Sequence, residues 1–203
     1  MNALAPLYGL VLAGGESRRM GRDKATLAYR GRTQLETAYS LVARHCERAF
    51  VSVRGDQVSE PARAALPQIV DAHEGIGPIA GIAAAQAAHP EVAWLVVACD
   101  LPFLDDMTVA ELITRRGAHP VTAYRSAHDG LPEPLCAIYE PAMRASVLEA
   151  IAQGRNCPRK LVIASGVPLL EQSDPASLDN VNTPEEFASA AARVACAPRD
   201  THR

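Results

Sequence analysis

The chain has 203 residues, 48 % of them hydrophobic and 21 % charged, which is enough apolar material for one well-filled core and too much for a disordered chain. Its formal net charge of −3 runs against general nucleic-acid binding, which calls for a basic domain.

The opening MNALAPLYGLVLAGG has no basic leader and no long apolar core, so it does not read as a signal peptide. Tyr8 to Leu12 is a short apolar run, the expected first strand. Residues 33–47, TQLETAYSLVARHCE, put Leu35, Ala38, Leu41, Val42 and Cys46 on one helical face. AFVSV at 49–53 reads as a strand, and QIV at 68–70 as a brief one ending at Asp71. PIAGIAAAQAA at 78–88 is a small-residue helix suited to packing tightly on a sheet. WLVVA at 94–98 is continuously apolar, as in a central parallel strand buried on both faces.

A helix is expected over 107–116, strands in PVTAY near Val121 and PLCAIY near Ile138, and a helix over 142–153. AHDGLPE at 127–133 is a loop between strands. In TPEEF at 183–187, Thr183 can cap a final helix, Pro184 suits its first position and Glu186 completes a capping box. Alternating strands and helices predict a single-domain, three-layer α/β/α fold with a mostly parallel sheet. No run approaches the about 18 apolar residues of a membrane span. The five cysteines are scattered without a C-x-x-C pair, which fits reduced thiols in the cytoplasm rather than a disulfide framework or zinc site. None of the six histidines has a spacing that points to metal binding or a nucleophilic relay.

The strongest chemical signal is LAGGESRRMGRDK at 12–24, straight after the first strand. In open α/β sheets ligands bind beyond the carboxyl ends of the strands, and a glycine turn there lets backbone N–H groups approach an anion. Neither familiar phosphate motif fits. Gly15 and Gly21 lie one residue too far apart for a Walker loop, and Arg22 stands where its lysine should be. The adjacent Gly14 and Gly15 break the dinucleotide pattern G-x-G-x-x-G. Arg18, Arg19 and Lys24 are either a solvated charged face or the cations that meet a polyphosphate.

This stretch resembles the signature of the Rossmann-like nucleotidyltransferases, and of the molybdenum cofactor guanylyltransferase family in particular. GPIAGI at 77–82, VACDLPFL at 97–104, EPLCAIYEPA at 133–142 and DNVNTPEEF at 179–187 follow in the family's order. Related cytidylyltransferases of the same cofactor usually carry LAAG where this chain has LAGG. The resemblance implies a nucleotide-diphospho-sugar-transferase-like fold, with a nucleotidyltransferase domain over 1–190 and the helix end and tail over 191–203. It implies GMP transfer from GTP, with Mg²⁺, to a molybdopterin-type cofactor, and contact with cofactor-insertion proteins or chaperones. Cytidylyl or another nucleotidyl transfer, and a non-catalytic nucleotide-binding accessory role, are the alternatives.

Carried over by position, Leu12, Ala13, Gly14, Gly15, Lys24, Ser52, Asp71 and Asp100 are the implied nucleotide-binding residues. Lys24, Asp100 and Arg18 are the implied catalytic ones. Asp71 stands where the family reads guanine, and a carboxylate suits that base because it accepts from N1–H and the N2 amino group together. Ser52 stands where many members have asparagine. Asp100 is either the cap of a turn made by Asp and Pro102 or the magnesium ligand. Asn180 and Asn182 are turn formers or binders of phosphate or acceptor. In GRNCPRKLV at 154–162, Arg155, Arg159 and Lys160 suit a phosphorylated acceptor or a helix surface.

Overall fold

The computed structural model describes residues 4–14, 27–29, 31–181 and 183–196. Among them a six-stranded sheet runs in the order β5-β4-β1-β6-β8-β7, built from β1 (Leu7–Leu12), β4 (Arg48–Val53), β5 (Gln68–Val70), β6 (Ala93–Ala98), β7 (Val121–Arg125) and β8 (Pro132–Tyr139). A two-stranded ribbon, β2 (Ala28–Tyr29) with β3 (Arg32–Thr33), stands apart. β1 pairs in parallel with β4 and β6, and β4 with β5, whereas β8 is antiparallel to both of its neighbours. The mostly parallel sheet is as expected; the reversed strand β8 was not foreseen.

Each strand feeds side chains alternately to two cores, following the pleat. Val11, Leu95 and Val97 meet Leu35, Leu41 and Val42 of α1 (Gln34–His45) and Val109 and Leu112 of α4 (Asp106–Thr114). Leu10, Trp94 and Val96 meet Ile79, Ile82 and Ala85 of α3 (Ile79–Ala88), Val147 of α5 (Arg144–Ala152) and Leu161 of α6 (Pro158–Ala164). Every residue of β6 is buried, which is why its sequence has no polar alternation. This gives the three layers. A short α2 (Pro61–Ala64) follows β4, and α7 (Pro184–Cys196) closes the described chain. The capping box at α7 is present: Glu186 N–H donates to Thr183 Oγ1 at 3.2 Å and Thr183 N–H to Glu186 Oε2 at 3.1 Å.

Within 154–162, residues 158–162 belong to α6, with Pro158 at its first turn, so Arg159 and Lys160 stand on a helix. Residues 141–143 form a separate 3₁₀ turn, so α5 begins two residues later than its periodicity suggests.

This topology decides what meets at the carboxyl edge. The chain leaves β1 toward β4 on one side and β6 on the other, the switch point where open α/β sheets bind ligands. β7 is parallel to β6, so the 126–131 connection and the first residues of β8 fall on the same edge as Asp100.

Candidate functional site

Leu12 sits between Ser52 on one side and Ala98 on the other, in register across the sheet. The ladder continues just past the strands. Ala13 N–H donates to Ser52 O at 3.3 Å, Asp71 N–H to Val53 O at 2.8 Å and Cys99 N–H to Leu12 O at 3.2 Å. Ala13, Asp71 and the Cys99–Asp100 turn are thereby lined up at the ends of β1, β5 and β6.

On the β4–β5 side, Ser52 is 1 % exposed, and its Oγ donates to Asp71 Oδ1 at 2.6 Å. Its hydroxyl is therefore turned to the carboxylate rather than to open solvent. The other oxygen, Asp71 Oδ2, lies 3.4 Å from where a Cβ on Gly14 would stand. Burial raises the Asp71 carboxyl above the ordinary carboxylate range, opposed by the Ser52 hydrogen bond and then by the Arg54 guanidinium. The absence of a side chain at Gly81 matters here, because a Cβ would collide with Ser52 Oγ and approach Leu12 Cδ2 to 2.8 Å. α3 can lie this close to β1 and β4 only with glycine at that turn.

The backbone of the glycine turn is gripped from below. Arg63, with no exposed surface, donates from Nη2 to Ala13 O at 2.7 Å and pairs with Glu60. Arg54 donates from Nη1 to Gly14 O at 2.8 Å while its Nε and Nη2 hold both oxygens of Asp56 at 3.0 Å. Nothing in the sequence pointed to either arginine, because neither belongs to a recognisable motif.

On the β6 side, Asp100 lines a cleft of about 390 Å³ with Ser126, Glu133, Cys157, Arg159 and Asn180. That volume lies in the range of small-molecule sites. Val181 N–H donates to Asp100 O at 3.1 Å and ties the 179–181 segment to the end of β6. His128 Nε2 meets Asp179 Oδ1 at 2.8 Å on the rim, and that carboxylate raises the imidazole's affinity for its proton. Histidine spacing gave no hint of His128; only the β7–β8 reversal brings it here. Arg159 donates to Asp129 Oδ2 at 2.8 Å and stands 3.5 Å from Glu133 Oε2.

The structure thus brings Leu12, Ala13, Gly14, Ser52 and Asp71 to one side of the switch point. Asp100, Asn180 and Arg159 lie on the other. Arg155, also named for the acceptor, does not line this cleft. Gly154, with φ of +67°, ends α5, and Arg155 then lines a separate hollow of about 180 Å³ with Lys160, between α5 and α6. Gly15, Arg18, Lys24 and Asn182 lie outside the described residues.

Among the described residues no three His, Cys, Asp or Glu side chains cluster as a ready-made metal site. No helix among them is long and apolar enough to cross a membrane.

A family model described as a MobA-like NTP transferase domain matches residues 9–169. The chain belongs to this nucleotidyltransferase family. It is 32 % identical over 194 residues to a molybdenum cofactor guanylyltransferase of Pseudomonas aeruginosa, covering 93 % of this chain and 96 % of that protein. It is 38 % identical over 183 residues to a molybdenum cofactor biosynthesis bifunctional protein of Synechocystis, covering 90 % of this chain but 53 % of the relative. The chain therefore spans about half of that relative's length and nearly all of the Pseudomonas one. Among solved structures, molybdopterin-guanine dinucleotide biosynthesis protein A of Archaeoglobus fulgidus shares the fold, with a TM-score of 0.75, 23 % identity and coverage of 93 % of this chain and 98 % of that one.

Proposed function

We propose that the protein is a molybdenum cofactor guanylyltransferase, joining GMP from GTP to the phosphate of a molybdopterin-type cofactor and releasing pyrophosphate. The observation that carries this reading is the Asp71 carboxylate, held by Ser52 and facing the Gly14 turn across the switch point from Asp100. A carboxylate there accepts from both guanine donors, while the turn receives the phosphates and the Asp100 cleft receives the acceptor. The relatives named for this activity support the same assignment.

An oxygen of the acceptor phosphate attacks the α-phosphorus in line as the bond from that phosphorus to the bridging oxygen breaks. Pyrophosphate leaves with the electron pair. The nucleophile is already anionic at neutral pH, so no general base is needed, in keeping with a site whose motifs contain no catalytic histidine. The protein's work is positioning and charge neutralisation. Gly14 supplies a backbone amide, and Lys24 and Arg18 are assigned to the triphosphate and the departing pyrophosphate. Enzymes of this family generally use a divalent metal, and we infer Mg²⁺, held by Asp100. When bound it neutralises charge on the phosphate oxygens. Asn180, Asn182 and Arg159 are assigned to the acceptor, with Arg159 exchanging its Asp129 partner for phosphate.

The reading puts the reaction in the cytoplasm, where thiols such as Cys46 and Cys99 stay reduced, and implies hand-over of the product to insertion proteins or chaperones. Calorimetric titration with GTP, CTP and ATP in the presence of magnesium, followed by pyrophosphate release on adding the cofactor, tests it. A clear preference for CTP, or no release with GTP and cofactor, overturns it.

A further inference from the structure

We propose that Arg63 is a positioning residue for the triphosphate, acting through the peptide between Ala13 and Gly14. The inference rests on the guanylyltransferase reading and adds to it a residue outside every motif of the phosphate turn.

Arg63 stands on the four-residue α2 with no exposed surface. Its Nη2 donates to Ala13 O at 2.7 Å, and its charge is matched by Glu60, which is 42 % exposed at its side chain. No described peptide bond is cis. In a planar trans peptide the N–H points opposite to the C=O. Drawing the Ala13 carbonyl toward a buried guanidinium therefore turns the Gly14 N–H away from it, toward the less buried side of the turn.

A second effect is electrostatic. A charged donor on a carbonyl polarises the whole peptide unit, so its N–H becomes a stronger donor to an anion. The arrangement is a relay from guanidinium to carbonyl, and from amide to phosphate oxygen. Arg54 makes the same kind of contact one peptide later, donating to Gly14 O at 2.8 Å. Two consecutive carbonyls at the mouth of the phosphate turn are thus each held by an arginine from the segment after β4.

Packing alone does not call for a cation at position 63. A methionine would fill the space of the aliphatic stem with an unbranched, adaptable apolar chain and no buried charge. Its loss would leave Glu60 in contact with water rather than stranded in the core. What methionine cannot do is hold the Ala13 carbonyl or polarise the peptide.

The test is calorimetry on wild type, Arg63→Met and Arg63→Lys with GTP plus magnesium, and with guanosine by displacement. Arg63→Met is expected to bind GTP about tenfold more weakly, the change that about 1.4 kcal/mol produces, with guanosine affinity unchanged. Arg63→Lys recovers most of the loss. Equal affinity of Arg63→Met and wild type for GTP overturns the proposal, and so does a matched loss of GTP and guanosine. If Arg63→Met does not fold, Arg63→Gln, which puts a neutral amide in place of the guanidinium, decides. Loss for GTP alone supports the relay, and equal loss for both ligands or none refutes it. Failure of wild type itself to bind GTP would strike the guanylyltransferase reading first, and is distinguished in this way from failure of the relay.

Discussion

The Ser52 hydroxyl donates to the Asp71 carboxylate at 2.6 Å, fixing one oxygen and leaving the other facing Gly14. The two side chains come from neighbouring parallel strands, Ser52 one residue before the end of β4 and Asp71 one residue after β5. Ser52 thus aims the group assigned to guanine without itself reaching the open cleft. The same bond favours the ionised carboxylate, against burial that disfavours it.

Replacing Asp71 by asparagine separates recognition from stability. Asn keeps an oxygen for Ser52 but presents an amino group to the donors of guanine. A bidentate charge-assisted pair is worth about 1.5 to 3 kcal/mol, so GTP affinity should fall about 10- to 100-fold with ATP binding unaffected. The folded-state pKa of Asp71 is raised, so its contribution favours the fold below the unfolded pKa and is lost as pH rises through the folded value. At neutral pH the wild type therefore carries this charge at a disadvantage. Asp71→Asn should melt no lower than wild type; equal loss of GTP and ATP, or a clear drop in melting temperature, would contradict the assignment.

The pH dependence of GTP binding follows from the same carboxyl. Guanine recognition requires Asp71 ionised, so affinity should drop on acidification at a pH above the ordinary aspartate range. Ser52→Ala removes the interaction that lowers this pKa. Its midpoint should move further up, while binding at about pH 8 changes less than at about pH 5. Binding curves for the two proteins measured across that interval would show it, and an unshifted midpoint would mean that another group governs the titration.

Asp100→Asn addresses the other side of the switch point. Loss of a comparable electrostatic element costs about a hundredfold or more in rate. Pyrophosphate release should fall by that factor, and the magnesium-dependent gain in GTP affinity should shrink with it. Metal-free GTP binding should be retained, because Asp71 and the Gly14 turn are untouched. Near-normal turnover of the variant would refute Asp100 as the metal ligand.

Much of this was legible in the amino-acid sequence where a local rule applied. The all-apolar 94–98 run could only be a strand buried on both faces, and TPEEF carried its own capping geometry. Asp71 and Asp100 were named from the motif resemblance, and both stand just past a strand, Asp71 directly after β5 and Asp100 two residues after β6, where parallel strands present their carboxyl ends to one edge. What escaped depends on contacts remote in sequence. The direction of β8 was open because a six-residue connection permits a hairpin without demanding one, and with it went the arrival of His128 and Glu133 at the cleft. Arg63 is separated from Ala13 by fifty positions and reads as an ordinary surface cation until burial is known. Arg155 and Arg159 line different hollows because Arg155 precedes α6, in the turn after Gly154, whereas Arg159 stands on the helix itself, a separation that four positions of sequence do not reveal.

Gly81→Ala brings packing and recognition into one experiment. In a helix interior alanine is normally favoured over glycine by about 1 kcal/mol. Here the added methyl would meet Ser52 Oγ and Leu12 Cδ2, and the hydroxyl can yield only by giving up its bond to Asp71. Overpacking of this kind costs about 1 to 3 kcal/mol, enough to outweigh the helix gain. At about 2 to 4 °C per kcal/mol for a chain of this size, the melting temperature should fall by a few degrees. Pushing Ser52 aside also disturbs the bond that aims Asp71, so GTP affinity should drop while ATP binding does not. Gly117→Ala is the control, since its added Cβ meets nothing within 4 Å. A Gly81→Ala protein that melts higher than wild type and binds GTP normally would show that α3 can recede from the strand ends, and that the closeness of α3 to Ser52 is not what holds the base-reading carboxylate in place.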